Sequence, residues 1–387
     1  MKYFIETSWR SLNHYGEELC GDKVEVTKSD QGILMVLSDG LGSGVKANIL
    51  ASLTSKIIAS MVNAGADIKD VVETIASTLP VCRERQVAYS TFTMMQVDKE
   101  GNAYFVEFDN PSLILLRDGK RIFVPWTERT IAGKQIREAR MKLQLHDIAV
   151  TFSDGVTHAG VGQVLNFGWQ HDSVVKFLEE NSCPDDKASD VQLRLLNHCN
   201  QLYEGKCGDD TTVAALRVCN PVPCCIMVGP PVNPEDDMDV VNDLMTCPGV
   251  RVICGGTTSQ IVSRLIDKPL TIDLQYFSPD VPPIAHMEGV DLVTEGVVTI
   301  GRVLDILEDY AANPDPEKLT VQKDAAHLLA EILLEKCTSV KFICGRALNP
   351  AHQNPDMPIS LSIKLRLVKD IANCLRKMGK PVTIRYC

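Results

Sequence analysis

Through the first 218 residues the apolar positions fall in short alternating or continuous blocks, as strands do. GILMVLSDG (32–40) is an apolar run that ends in a turn. STFTMMQVD (90–98) and NAYFVEFD (102–109) alternate around KEGN and predict a hairpin, and SLILLRDGKRIFV (112–124) predicts a second one turning at DGK. DIAVTFSDG (147–155) repeats the strand-then-Ser-Asp-Gly shape, and TTVAALRV (211–218) closes the region as another strand. Helical periodicity interrupts these blocks at Lys46–Asn63, Ile68–Ser77, Ser173–Glu180 and Ala188–Leu202. Strand, helices, β meander, helices and strand in that order predict an α+β fold, with helices layered over antiparallel sheets.

The prolines of NPVPCC (220–225) break any regular element, and the pattern changes beyond them. CCIMVG, VRVICGG, VDLVTEG and VKFICGR are short apolar runs that each end in glycine. Helical stretches follow at Asp236–Thr246, Ser259–Ile266, Val298–Tyr310 and Ile359–Met378, and PVTIRYC ends the chain as a strand. Alternation of this kind predicts an α/β domain with a mostly parallel sheet. The expected domains are residues 1–219 and 220–387, and no fixed-period repeat runs through the chain.

Composition narrows the function classes. The chain has 387 residues, 45% hydrophobic and 23% charged, which suits two domains that each bury a core. A net charge of −11 argues against a non-specific grip on nucleic acid, which needs a positive field against the phosphates. No apolar run reaches the ~18 residues that span a bilayer, and the N-terminal stretch lacks the features of a signal peptide. No membrane association is expected, and a cytoplasmic location is. The 14 cysteines are scattered, several within apolar runs, and read as reduced, buried thiols. Cys199 and Cys207 near His198 lack the paired spacing of a zinc site.

Three aspartates stand at strand ends among small residues: Asp39 in LSDGLGSG, Asp154 in FSDGVTHAG and Asp209 in GDDTTVAALRV. Carboxylates placed just past neighbouring buried strands converge, and such clusters suit hard divalent cations with oxygen ligands. The glycine after each of the first two is expected to turn the backbone sharply and bring a carbonyl within reach of the ion. Any one Asp-Gly after a strand is an ordinary turn. The three together, in this order, are not.

VLSDGLGSGVKANILAS, STFTMMQVD, FSDGV and GDDTTVAALRV resemble the successive motifs of the PPM (PP2C-like) metal-dependent serine/threonine phosphatases. The DGxGSG form and the closing Asp-Asp-x-Thr-Val strand are most similar to the bacterial SpoIIE branch. GEELCGD (16–22) resembles the acidic segment that opens this domain, so the resemblance covers about residues 10–218. It implies two Mn²⁺ or Mg²⁺ ions, with Asp39 bridging both and Gly40 offering its carbonyl to one. It implies Asp154 and Asp209 on the other ion, Asp22 touching the metals through water, and Asp210 orienting its neighbour. The implied reaction is hydrolysis of phosphoserine or phosphothreonine by a water activated between the metals. The implied substrate is a phosphoprotein, first of all an anti-anti-sigma-type regulator. The arginine with which many PPM enzymes hold the phosphate has only Arg10 as a candidate. His158 reads either as a general acid or as a solvated loop histidine. A catalytically inactive phosphatase-like binding protein is the alternative.

In the second domain CGGTTSQIVSRL (254–265) ends a strand in Gly-Gly and starts a helix with Thr-Thr-Ser. A helix N-terminus presents unpaired N–H groups and a positive dipole end, so a small anionic ligand is expected there. VGPPVNPED, VTEGVVTIG and CGRALNPAHQNP lie at other strand ends, and Gly255, Gly256, Thr257, Thr258 and Glu295 are expected to share one crevice. The competing reading is a threonine that merely caps its helix. This half is expected to regulate or dock, and self-association stays open.

Overall fold

Strand β3 (Gly32–Gly40) is buried from Ile33 through Ser38 because both of its faces are covered. Leu34 and Val36 pack with Ile58, Val71 and Val72 of helices α1 (Gly44–Asn63) and α2 (Ile68–Thr78). Ile33 and Met35 point the other way, into a core shared with Ala214, Leu216 and Val218 of a second sheet. The same alternation in that sheet sends Val213 and Ala215 out to a further pair of helices. Strands sealed on both sides read as continuous apolar runs, as the sequence has them.

In this computed structural model the described residues are 2–29, 31–78, 90–273, 281–312, 319, 323–347 and 359–387. The chain divides into two compact units, Met1–Asn220 and Pro221–Cys387. In the first, one sheet contains β1 (Phe4–Leu12), β6 (Ile114–Arg117), β7 (Lys120–Ile122), β10 (Ile148–Phe152) and β11 (Thr211–Cys219), ordered β1-β11-β10-β6-β7. The other contains β2 (Asp22–Lys28), β3, β4 (Ser90–Asp98), β5 (Asn102–Phe108), β8 (Thr127–Ile131) and β9 (Lys134–Lys142), ordered β2-β3-β4-β5-β9-β8. Each strand pair in the two sheets is antiparallel. Helices α4 (His171–Asn181) and α5 (Ala188–Leu202) cover the first sheet, and the short α3 (Asp154–Thr157) follows β10. The unit is thus four layers, helices on two sheets on helices, an α+β arrangement. Both predicted hairpins form, and the β6–β7 turn places Asp118 and Gly119 at φ 50° and 75°.

The second unit has one seven-stranded sheet, β14-β15-β16-β13-β12-β17-β18. Its strands are β12 (Pro223–Val228), β13 (Val250–Cys254), β14 (Thr271–Asp273), β15 (Ile284–Met287), β16 (Val290–Thr294), β17 (Ser339–Cys344) and β18 (Val382–Tyr386). The pairings from β16 to β18 are parallel, and the β14–β15 edge is antiparallel. Helices α6 (Asp237–Met245) and α7 (Gly256–Ile266) pack on one face. Helix α8 (Val297–Ala312) and the later helices Ala325–Glu331 and Ile359–Lys377 pack on the other. The mostly parallel α/β architecture is as the strand–helix alternation predicts. Helix α7 starts three residues before the apolar periodicity does, since its first turn is Gly-Thr-Thr.

One expectation needs refinement. By length and composition α1 is apolar enough to cross a membrane. Its Ala47, Ala51 and Ile58 are buried against the sheet, while Val45, Ile49 and Leu53 are exposed. Residues 348–355 of the CGRALNPAHQNP segment lie outside the described residues.

Candidate metal centre

Register places the acids. In the β2–β3 ladder Asp22 stands directly opposite Asp39. In the first sheet Phe152 of β10 pairs Val213 of β11, so Asp154, just past β10, and Asp209, just before β11, come out at one end. The two sheet ends are tied together by Asp210, whose Oδ2 accepts the Gly21 N–H at 2.8 Å and whose Oδ1 accepts the His14 N–H at 2.9 Å. Asp39 therefore lies in the field of Asp22, Asp154 and Asp209 together. Ligand atoms of Asp154, His158 and Asp209 fall within 4.8 Å of one another.

The glycines do something other than the sequence suggests. Neither Gly40 nor Gly155 has a positive φ, so neither is needed for a sharp left-handed turn. Each is there because backbone comes too close for a side chain. A Cβ on Gly40 would collide with the Ala47 carbonyl of α1, and one on Gly155 with the Asp210 carbonyl. The Gly155 carbonyl also accepts the Tyr203 hydroxyl at 2.8 Å, which holds α3 down on the fold. Small residues here let a helix and a strand close on the acids.

Electrostatically the cluster is short of positive charge. Burial, reinforced by neighbouring carboxylates, holds the Asp22 and Asp39 carboxyls well above the usual carboxylate range. Burial first, then the Asp154 charge, pushes Asp209 up to about 6. Asp22 is 4% exposed, and its Oδ2 has no hydrogen-bond partner. An orphaned buried carboxylate oxygen among three further carboxylates is costly without a cation, and an all-oxygen donor set suits Mg²⁺ or Mn²⁺. The residues fit the two-cation centre.

The other candidates take clear places. Asp210 is 3% exposed and spent on two backbone N–H groups, so it fixes the 13–21 loop that delivers Asp22. No sequence signal marked this, because its partners are backbone donors nearly two hundred residues away. His158 Nδ1 lies 3.7 Å from Asp154 Oδ2 and its side chain is 53% exposed, at the edge of the cluster and open to solvent. Arg10 sits in β1 opposite Val213. The Gly255, Gly256, Thr257, Thr258 and Glu295 group belongs to the second unit. Gly255 caps α7, and a Cβ on Gly256 would lie 3.3 Å from the Glu295 carboxylate, so the two strand ends approach each other there. Among the described residues no cysteine is in a disulfide, and Cys199 and Cys207 are buried among apolar neighbours rather than grouped with His198 around a metal.

No curated protein matches the chain. The phosphatase domain of SpoIIE from Bacillus subtilis is 19% identical with a TM-score of 0.45, covering 57% of this chain and 95% of that one. RsbX in complex with magnesium is 16% identical at a TM-score of 0.40, covering 55% and 95%. The RsbU and RsbW domains of Rv1364c from Mycobacterium tuberculosis are 16% identical at 0.47, covering 63% and 69%. The family model described as Stage II sporulation protein E (SpoIIE) matches residues 29–219, the stretch that carries Asp39, Asp154 and Asp209. That segment is a SpoIIE-type PP2C phosphatase domain, of a family of protein serine/threonine phosphatases, and the C-terminal part of the chain is unassigned.

Proposed function

We propose that the N-terminal unit hydrolyses phosphoserine or phosphothreonine on a protein, using two Mn²⁺ or Mg²⁺ ions. The observation that carries this reading is the convergence of Asp22, Asp39, Asp154 and Asp209 at abutting strand ends, with carboxyls starved of positive charge. Asp39 and the Gly40 carbonyl, with Asp154 and Asp209, would hold the ions, and Asp22 would reach them through water. Two such ions supply an activated water and neutralise charge on the phosphoryl oxygens.

The chain's own residues do the rest. Asp210 locks the loop before Asp22 and so fixes where the cluster's most buried acid points. His158, half-exposed beside Asp154, would hold or give a proton to the leaving serine oxygen at the mouth of the centre. The Asp154 side chain is 48% exposed, so the centre is open enough for a phosphorylated residue carried on another protein. By family resemblance, the substrate proposed is a phosphoserine on a small regulator of the anti-anti-sigma type.

The test is Mn²⁺-dependent phosphate release from a phosphoserine peptide and from an aryl phosphate. Activity should vanish with chelator, and Asp39→Asn should lower it at least about a thousandfold, since it removes a ligand from a two-metal clamp. Turnover without metal, or a fully active Asp39→Asn, overturns the reading.

A further inference from the structure

Neighbouring strands of the second unit send their helices to opposite faces. Ile253 and Val293 pack with Val262 of α7, whereas Val252, Cys254 and Leu292 pack with Ile300 and Val303 of α8. Strands β13 and β16 are adjacent and parallel, yet α7 leaves the first toward one face and α8 leaves the second toward the other. Although the strand order of this sheet reverses further in, between β12 and β17, open α/β sheets take their ligands at the carboxyl ends of their strands. The two glycine turns meet there, since a Cβ on Gly296 would stand 3.8 Å from the Gly255 Cα.

Both helices begin with the same arrangement. A glycine ends the strand, Gly255 or Gly296, and three residues on comes a threonine, Thr258 or Thr299. Thr258 is 1% exposed and Thr299 0%, and neither hydroxyl has a hydrogen-bond partner. The Thr258 hydroxyl turns back to the mouth of its helix, 3.2 Å from where a Cβ on Gly255 would lie. Gly255 itself has φ 125°, and no side chain caps the first N–H groups of this eleven-residue helix. Valine would fill either threonine position at the same volume with no buried polar atom left unpaired. Two such hydroxyls at paired helix starts are a defect in the fold on its own, and a sensible provision for something that binds.

The chemistry of the mouth selects the ligand class. The uncapped N–H groups of α7, its dipole and the Thr258 hydroxyl suit the several oxygens of a phosphate group, with Thr299 at the matching position of α8. The exposed Glu295 carboxylate beside Gly256 opposes a bare anion and accepts hydrogen bonds from hydroxyls. We propose that this mouth binds a small phosphorylated polyol, with its phosphate at the starts of α7 and α8 and its hydroxyls on Glu295. The site is independent of the metal centre, and neither reading needs the other.

The experiment titrates the full chain with ribose 5-phosphate in excess chelator, which keeps the acid cluster metal-free, and follows melting temperature and heat of binding. The probe should stabilise the wild type and Asp39→Asn equally. Thr258→Val and Thr299→Val should each bind it about tenfold or more weakly. Unliganded, each valine variant should melt at or above the wild type, because an unpaired buried hydroxyl has been removed. Inorganic phosphate and ribose should each bind more weakly than their ester. A valine variant that melts several degrees lower would show that the hydroxyl serves the fold, and would overturn the assignment. So would no response at about 10 mM, where even a millimolar site fills. A response lost in Asp39→Asn, or kept in both valine variants, places the probe elsewhere and also overturns it. Inorganic phosphate binding as tightly as the ester would refute the polyol part.

Discussion

The two units build strand-end chemistry from opposite materials. In the first, antiparallel strands deliver four carboxylates to one end, and the result is acceptor-rich and short of positive charge. In the second, parallel strands bring glycine turns and helix starts to one edge, and the result is rich in donors, with Glu295 beside it. Antiparallel ladders alternate direction, so side chains must come from the starts of some strands and the ends of others. A parallel sheet lines up every carboxyl end, so the backbone itself forms the site. One site calls for cations and the other for an anion.

The sharpest way to break the comparison is to cut the chain after Asn220. The N-terminal fragment should melt cooperatively and keep its metal response, while the sugar-phosphate response should disappear from it entirely. A fragment that aggregates would show that the two sites do not belong to separate folding units. Next in size is Gly40→Ala. The added methyl meets the Ala47 carbonyl, which is helix backbone and has little room to move, so a loss of about 3 kcal/mol is expected by chemical denaturation. The equivalent change in the second unit, Gly296→Ala, meets only a Cα at 3.8 Å, which is ordinary contact, and should cost far less. Equal losses would mean that close approach is not what separates the two sites.

The smallest effect is a pH dependence. Asp209 is pushed up to about 6, and Asp22 and Asp39 are raised as well, so the metal-free fold holds protons that the unfolded chain releases. These groups therefore make metal-free stability fall as pH rises from the ordinary carboxylate range through about 6 for Asp209 and beyond it for Asp22 and Asp39. Cations replace the protons, so the stabilisation by Mn²⁺ should grow over that window by a few degrees of melting temperature. Asp39→Asn should flatten this growth. A metal-induced shift that shrinks with rising pH would contradict the electrostatic account of the centre.

The sequence made the acids legible because each borders an apolar block whose register follows from its pattern. Asp39 closes a run of buried residues and Asp209 opens another, so a strand assignment also assigned the site. The reason for Gly40 and Gly155 was not legible, because the atoms that exclude a side chain belong to distant segments. The β8–β9 hairpin escaped too: four of the five β8 positions are exposed, and TERTI next to KQIREARMK lacks an apolar face to reveal its period. Strands β14 and β15 are short and sit at an antiparallel edge, outside the strand–helix rhythm that marked their neighbours. The turn at Gly255 was visible as a helix start, but the unpaired hydroxyl of Thr258 is a property of packing and leaves no mark on the chain.

The register of Asp22 against Asp39 reaches beyond catalysis. Strand β2 lies at the margin of its sheet, held laterally by β3 alone. Two charged carboxylates directly opposite each other in a ladder would push the strands apart. The raised carboxyls of Asp22 and Asp39 show a proton relieving that push, so this border strand begins with a wedge that, without metal, only a proton blunts. A divalent cation that draws on both acids turns the wedge into a clasp, and the ion then acts as a fastener for the hairpin as well as a reagent. On the proposed reading, metal starvation would empty the centre and also leave the hairpin's rim fastened by protons alone.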